Sequence, residues 1–518
     1  MKLASFLATH ARATPGKDAV ICGDERLTFA QLHETTDRLA NALRSRGVGI
    51  GDRVAIQLQN TVEFARAFLA VTKAGGISVP VNTRLAPGEI AYILADSAPR
   101  AVFLSGETRE LYERSAGGSK GVMRIAVGQP GEGEHAIADL IEEGAAGTPA
   151  VPPEFDDNLI VYTSGTTGNP KGAIITQANS IIPNGYLNAL QYGLSDRDRQ
   201  LVTTPLAHRT GFARMANMVL HGSTLVVMPR FDAAGAAKLA RDERITVIGI
   251  VPTVGRMLLP EIEAHPENFA SVQVMLVTGE AFPLDVKKRI HDALPHVRMY
   301  SFFAMTEVGG LTLLGPQEQF THPTSLGRLN PGAEVRLVDA AGNDVAPGEV
   351  GEMWVRTGEP GRFLTMRCYF NKPKETAETI RDGWVATGDM ARLAPDGHYY
   401  MMDRKKDMVL SGGYNIYSKE VELALQQHPA VQDAAVIGVP DAVYGEAVAA
   451  FIELRPGAKA TEDEIVAHCR DRIASYKKPK YVRFLAPLPR NSTGKVQKFE
   501  LRRLFSAGAE TPSSAGKV

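Results

Sequence analysis

The chain is predicted to be an α/β protein, with a large N-terminal domain of helices covering sheet and a smaller α+β domain after it. Three observations carry this. Short apolar runs rich in Val and Ile alternate with helical patterns over most of the length. At 518 residues the chain exceeds the size at which one core stops growing. A charged break, Asp403-Arg404-Lys405-Lys406-Asp407, separates two apolar stretches, and beyond it the pattern starts afresh.

In order, Val54–Leu58 reads as a strand before a helix over Thr61–Ala74, and Ile77–Val81 as a strand before a helix near Pro87–Asp96. Residues 105–157, rich in Gly, Glu, Ala and Pro, read as a stretch that includes mobile surface before the clamp strand. Leu159-Ile160-Val161, Thr224–Met228, Val247–Ile250, Val274–Val277 and Val297–Tyr300 read as further strands. In open α/β sheets ligands sit beyond the carboxyl ends of strands, so the polar segments after these runs are where chemistry is sought. Past the break, Ser418 is expected to cap a helix that ends at His428-Pro429, and Ala434–Val439 and Val448–Ile452 complete the small unit. The division expected is 1–403, 404–505 and a disordered tail over 506–518.

With 57 basic and 58 acidic residues there is no net field to draw nucleic acid or an acidic surface. Cys22, Cys368 and Cys469 form no close pair, which argues against a disulfide frame or structural metal and for inert thiols in a reducing compartment. No apolar run suits a signal peptide or membrane span, and the C-terminal Ala-Gly-Lys-Val is no targeting address. A soluble cytoplasmic protein without membrane insertion is the expectation.

The most informative segment is Tyr162-Thr163-Ser164-Gly165-Thr166-Thr167-Gly168-Asn169-Pro170-Lys171-Gly172. Glycines admit backbone N–H groups to an anion, hydroxyls add donors and the lysine adds charge, so the segment reads as a phosphate clamp. It lacks the Gly-Lys-Ser/Thr of a Walker loop. Its spelling resembles that of the adenylate-forming enzymes, the superfamily of acyl-CoA synthetases, peptide-synthetase adenylation domains and beetle luciferases. The resemblance covers nearly the whole chain, because Phe303-Ala304-Met305-Thr306-Glu307, Thr387-Gly388-Asp389, Asp403–Asp407 and Asn491-Ser492-Thr493-Gly494-Lys495 resemble further motifs in the family's order. It implies layered sheets and helices in the large domain and a mobile C-terminal domain that carries a catalytic lysine.

It also implies an acid–thiol ligase using ATP, Mg²⁺ and coenzyme A, and a role for each residue. Joining a carboxylate to the α-phosphate of ATP brings two anions together, so catalysis rests on positioning and charge neutralisation. Lys495 is the expected cation at the reacting carboxylate, with Thr306, Glu307 and His208 as further catalytic candidates and Glu307 as the Mg²⁺ ligand. Nucleotide binding falls to Thr163, Ser164, Gly165, Thr166, Thr167, Gly168, Lys171, Gly279, Glu280, Ala281, Phe303, Thr306, Asp389, Arg404 and Lys495, with Phe303 stacking where tyrosine is usual. Asp389 would hold the ribose and Arg404 reach it from the other domain. Lys406 is the expected hinge, Gly412, Gly413 and Tyr414 line the pantetheine path, and Lys477 and Lys478 are candidates for the CoA phosphates. Asp403 departs from the family's glycine.

The acyl pocket is expected to draw on His208, Arg209, Thr210, Ala281, Phe302, Ala304, Gly309 and Gly310. Phe302 and Ala304 would shorten it, favouring aromatic, alicyclic or short-to-medium-chain acids. Arg209 stands where an apolar residue is usual; it either reads a second carboxylate or carbonyl, with Arg214 the weaker candidate, or points to solvent or CoA. Dicarboxylate or oxo-acid ligation, a stand-alone amino-acid or aryl-acid adenylating enzyme, and a non-catalytic binding protein are the competing classes. No carrier domain follows Lys495, and retention of Glu307, Asp389, Arg404 and Lys495 argues against the last. Homodimerisation is left open.

Overall fold

Parallel pairing of short strands, each returned by a helix, builds most of the molecule. The computed structural model describes residues 2–116, 121–163, 170–279, 282–412, 414–490 and 494–507. Contacts divide the chain into one unit of residues 1–334 and 355–385 and a second of 335–354 and 386–518.

The first unit holds two large sheets. One runs Glu134–Ala136, Met123–Val127, Ala101–Ser105, Arg53–Gln57, Ile77–Pro80, Asp157–Thr163, Lys171–Thr176, parallel except for the last pair. The other has nine strands, its centre Arg298–Met305, Val274–Thr278, Val247–Ile250, Arg199–Val202, Thr224–Val227 and Asp18–Cys22, with an antiparallel hairpin at each edge. Alternation along each strand sorts side chains between layers. Val54, Ile56, Leu159 and Val161 of one sheet join Val20, Val202, Leu225 and Val227 of the other in a single core, with helices Phe29–Ser45, Val62–Ala74 and Arg209–His221. The opposite faces, Ala55, Val102 and Ile160 on one sheet and Ile21, Ile248 and Met275 on the other, pack under outer helices. Every residue of Val62–Ala74 except Glu63 is buried, and its Lys73 is matched by Asp37 at 2.6 Å. A helix polar on one face could not occupy this middle layer.

The described residues of 105–157 carry several regular elements. Gly106–Ala116 is a helix, Met123–Val127 adds to the sheet in parallel beside Ala101–Ser105, and Ile137–Glu143 is a further helix. Tyr112, Ile125, Ile137 and Leu140 are buried, so a few apolar anchors suffice to order a polar segment. The strand expected over Val297–Tyr300 runs on to Met305, because Phe302, Phe303 and Ala304 ladder with Gly310–Leu313 across a bulge at Phe303/Ala304.

In the second unit Val409–Ser411, Tyr414–Ile416, Val431–Asp441, Gly445–Leu454 and Tyr481–Phe484 form one sheet. Helices Ser418–Gln426 and Glu462–Arg470 cover one face and Lys498–Ser506 the other. Cys469 lies in this core and burial pushes its thiol up to about 11; burial raises Cys22 and Cys368 too. Ser418 proves to be the first helical residue rather than the cap, Tyr417 holding that position without a side-chain bond. The acceptor comes from outside the helix: the Asp403 carboxylate takes Ser418 N–H, Ser418 Oγ–H at 2.9 Å and Arg404 N–H at 2.7 Å. This is the structural use of the aspartate that replaces the family's glycine. Residues 508–518, most of the tail, lie outside the described residues.

Candidate active site

The clamp's flanks form a hairpin. Thr163 ends one strand, Lys171 opens the next, and the two are paired in register. Ser164, Gly165, Thr166, Thr167 and Gly168 lie outside the described residues, as do Glu280 and Ala281. Lys171 Nζ sits 5.1 Å from the centre of the Tyr369 ring, and Tyr369 donates its hydroxyl to Glu307 Oε1 at 2.7 Å. A cation, a phenol and a carboxylate that are far apart in sequence thus share one place. Segment 366–370 delivers the tyrosine: Phe370 N–H donates to Gly172 O at 2.7 Å, and Met366 N–H to Glu307 O at 2.7 Å. Burial and the Glu307 charge drive the phenol's pKa far up, which keeps it a donor. Tyr369 carries no local motif, and nothing in the sequence pairs it with a residue 62 positions away.

Glu307 follows the hairpin strand Arg298–Met305, in a turn closed by Gly309 at φ 69°. Arg209 grips the same turn. It is the first residue of helix Arg209–His221, where the helix dipole disfavours a cation. Its guanidinium donates to Thr306 O and lies 3.5 Å from Met305 O, with Glu307 acting on it electrostatically. A Cβ on Gly309 would come within 3.2 Å of Arg209 Nη2, so the glycine makes room for the fork. Burial lowers the guanidinium to about 10, which leaves it charged at neutral pH.

His208 caps the same helix, and Thr210 Oγ1 lies 3.5 Å from Thr204 Oγ1. Asn82, absent from the sequence-level list, meets His208 Nε2 through its Nδ2 at 3.0 Å. Arg84 N–H donates to Asn82 Oδ1 at 3.0 Å, which orients the amide with its NH₂ toward the ring. His208 Nε2 is therefore an acceptor and the proton sits on Nδ1. Burial and Arg84 lower this imidazole to about 4, so it is neutral near pH 7. Phe302 and Phe303 point to opposite faces of their strand, Phe302 packing with Tyr192, Tyr300 and Leu313. Ala304 is exposed and pairs with Gly310, and Gly279 takes φ 105°.

In the second unit Asp389 and Arg404, expected on either side of a domain boundary, are cross-strand partners with Arg404 Nε 2.6 Å from Asp389 Oδ1. Asp389 is fully buried. Thr387 Oγ1, bonded to Met353 O at 2.7 Å, accepts Asp389 N–H, and Gly388 at φ 70° turns the chain between them. Lys405 pairs with Glu352 at 2.8 Å. Lys406 is exposed in the turn closed by Asp407 N–H and Met408 N–H on Arg404 O. Gly412 has φ 57°, Gly413 lies outside the described residues, and Tyr414 stacks on Tyr476 with ring centres 4.6 Å apart. Lys477 is paired with Glu420 at 2.6 Å, while Lys478 is half-buried and donates to Ser475 O at 3.1 Å. Lys495 is exposed beside Gly494 at φ 88°, on a loop bridged between Arg490 and Val496.

Layered parallel sheets, a carboxylate held by Tyr369 beside Lys171, and a smaller unit bearing a buried aspartate and an exposed lysine next to a glycine are features of an adenylate-forming enzyme. The chain belongs to the AMP-binding enzyme family: the family's main domain matches residues 7–370 and the AMP-binding enzyme C-terminal domain matches 420–495. It is an acid–thiol ligase of the acyl-CoA synthetase class, using ATP, Mg²⁺ and coenzyme A. The chain is 35% identical over 512 residues to feruloyl-CoA synthase of an Amycolatopsis species, covering 97% of this chain and 99% of the relative. It is 34% identical over 514 residues to the long-chain-fatty-acid–CoA ligase FadD13 of Mycobacterium tuberculosis, covering 97% and 98%. Among solved structures, o-succinylbenzoate CoA synthetase from Bacillus subtilis with its acyl-adenylate intermediate superposes with a TM-score of 0.84 at 29% identity, over 96% of this chain and 97% of that one. Among the described residues no helix is long and apolar enough to cross a membrane.

Proposed function

We propose that the protein activates a carboxylic acid as its acyl-adenylate, releasing pyrophosphate, and then transfers the acyl group to the thiol of coenzyme A with release of AMP. The observation that carries this is the Lys171–Tyr369–Glu307 cluster at the base of the hydroxyl-rich hairpin. Among the described residues Glu307 accepts a hydrogen bond through Oε1 from Tyr369, which leaves its second oxygen for a hard cation, and Mg²⁺, which accepts few protein ligands, fits such a donor. The ion would neutralise phosphate charge there. Lys171 and the donors of the hairpin hold the phosphates, and Thr306 serves the α-phosphate. Asp389 takes the ribose hydroxyls beside Arg404. Neutral His208, its Nδ1 protonated, is a wall and donor rather than a cation. Lys495 supplies positive charge where carboxylate and α-phosphate meet, and Lys406 is the pivot about which the small domain exchanges the Lys495 loop for the Gly412–Tyr414 face.

For the acid, Phe302 set against Tyr192 and Tyr300 supports a compact substrate: aromatic, alicyclic or of short to medium chain. The relatives' named substrates range from feruloyl and indoleacetate to long-chain fatty acids and sulfoacetate, which supports a carboxylic acid and no narrower class. Measuring AMP and pyrophosphate release with and without CoA across a panel of acids tests the reading. AMP release should depend on both acid and CoA. Lys495→Ala should slow adenylate formation by on the order of 10²–10³ and spare thioester formation from supplied acyl-adenylate. Equal loss in both half-reactions would overturn the role given to Lys495.

A further inference from the structure

Helix Arg209–His221 carries a second arginine whose charge has no use inside the protein. Arg214 is 6% exposed, and among the described residues no hydrogen bond or ion pair engages its guanidinium. Its Nη1 is sealed from solvent without a partner. The side chain's stem runs over Gly249: a Cβ there would lie 3.7 Å from Arg214 Cδ. Gly249 is in a central strand of the nine-stranded sheet and yet is partly exposed, so space opens beside it. Its neighbours in register are Leu276 and, one strand further, Tyr300, and Phe302 follows on the same face. Tyr300 meets Tyr192 edge to face at 5.1 Å, and Tyr192 is the residue whose hydroxyl acts on Arg214 electrostatically. Arg214 therefore stands at an aromatic-walled space beside Phe302. A five-residue step along the helix puts it about 7.5 Å from the level of Arg209.

A buried cation left uncompensated destabilises the fold, and an arginine fork fits a carboxylate with two parallel bonds. A neutral ligand oxygen would accept a bond and leave the charge; an anion answers both. We propose that Arg214 is the specificity determinant for a second anionic group, a carboxylate, at the end of the acyl substrate remote from the reacting carboxyl, so that the protein ligates a dicarboxylic acid. The inference rests on the ligase reading above.

Matched acids that differ only at the far end test it: hexanoate against adipate, and phenylacetate against 4-carboxyphenylacetate, by kcat/KM for CoA-dependent AMP release. Wild type should favour a diacid of at least one pair by more than tenfold. Arg214→Met should lower kcat/KM for that diacid by on the order of 10² and change its monoacid by less than about threefold, while Arg214→Lys restores part of the loss. Wild type that turns over both monoacids faster than their diacids overturns the inference without recourse to a variant. Parallel losses in Arg214→Met overturn it too, since they would mean that Arg214 holds the reacting carboxylate or the fold. In both cases CoA-dependent turnover of the monoacids leaves the ligase reading standing; failure of every acid to give it removes both.

Discussion

Arg209 and Arg214 lie on one helix, and both are lowered to about 10 by burial, but they differ in what they touch. The first is answered by the main chain, Thr306 O and Met305 O, with Glu307 nearby. The second is answered by nothing in the described chain. Burial alone therefore does not say what a charge is for. A cation satisfied by carbonyls organises the backbone that carries them, and a cation left bare at an open space awaits a ligand. By this comparison we infer that Arg209 positions the Thr306–Glu307 turn, and the proposal above gives to Arg214 the second-anion role that the sequence offered to Arg209 first.

The largest effect expected from breaking the comparison is at Arg209. Arg209→Met frees the turn and removes the guanidinium from two half-buried carbonyls, so kcat should fall by on the order of 10² for every acid alike, with little change in KM for the acid. A loss confined to diacids would return substrate reading to Arg209. Asp403 mirrors Arg209 with the opposite sign, an anion satisfied by main-chain N–H groups at a helix start. Asp403→Asn should destabilise the small unit by about 1–3 kcal/mol, seen as an earlier first transition on thermal unfolding of the whole chain. An unchanged transition would mean that the helix start finds another acceptor. Tyr369→Phe removes one hydrogen bond from Glu307 and keeps the ring under Lys171, so activity should drop by roughly 2–10-fold, about 0.5–1.5 kcal/mol, and extra Mg²⁺ should recover part of it. No recovery would detach Tyr369 from metal binding.

His208 contributes through pH rather than through a contact. Its folded-state pKa, about 4, lies below the ordinary 6.5, so between these values the unfolded chain binds the extra proton. Stability should therefore fall as pH drops from about 6.5 toward 4, by at most about 1.4 kcal/mol per pH unit from this group, and His208→Gln should flatten that slope. An activity profile with a His208-dependent step near pH 6.5 would contradict its burial as a neutral ring.

The sequence carried the two-part architecture, because strands such as Val247–Ile250 and Val274–Thr278 are continuous apolar runs between helical patterns, and it carried the resemblance to the family, because the motifs that bear it are contiguous. What it hid is what long-range packing decides. Tyr369 reaches Glu307 only because segment 366–370 runs along the Lys171–Thr176 strand edge. Asn82 reaches His208 across 126 residues. Asp403 stood out in the sequence only as a departure from the family's glycine until Ser418 came to it, and the apolar anchors of 105–157 are few and scattered. Between two arginines five residues apart, composition offers no ground for choosing the one that faces a carbonyl and the one that faces a space.

The direct test of that choice is the ratio of diacid to monoacid kcat/KM, measured on adipate and hexanoate and on the phenylacetate pair for wild type, Arg209→Met and Arg214→Met. Arg209→Met should keep the wild-type ratio while lowering both numbers, and Arg214→Met should bring the ratio down by on the order of 10². A ratio that falls in Arg209→Met and holds in Arg214→Met would contradict the account.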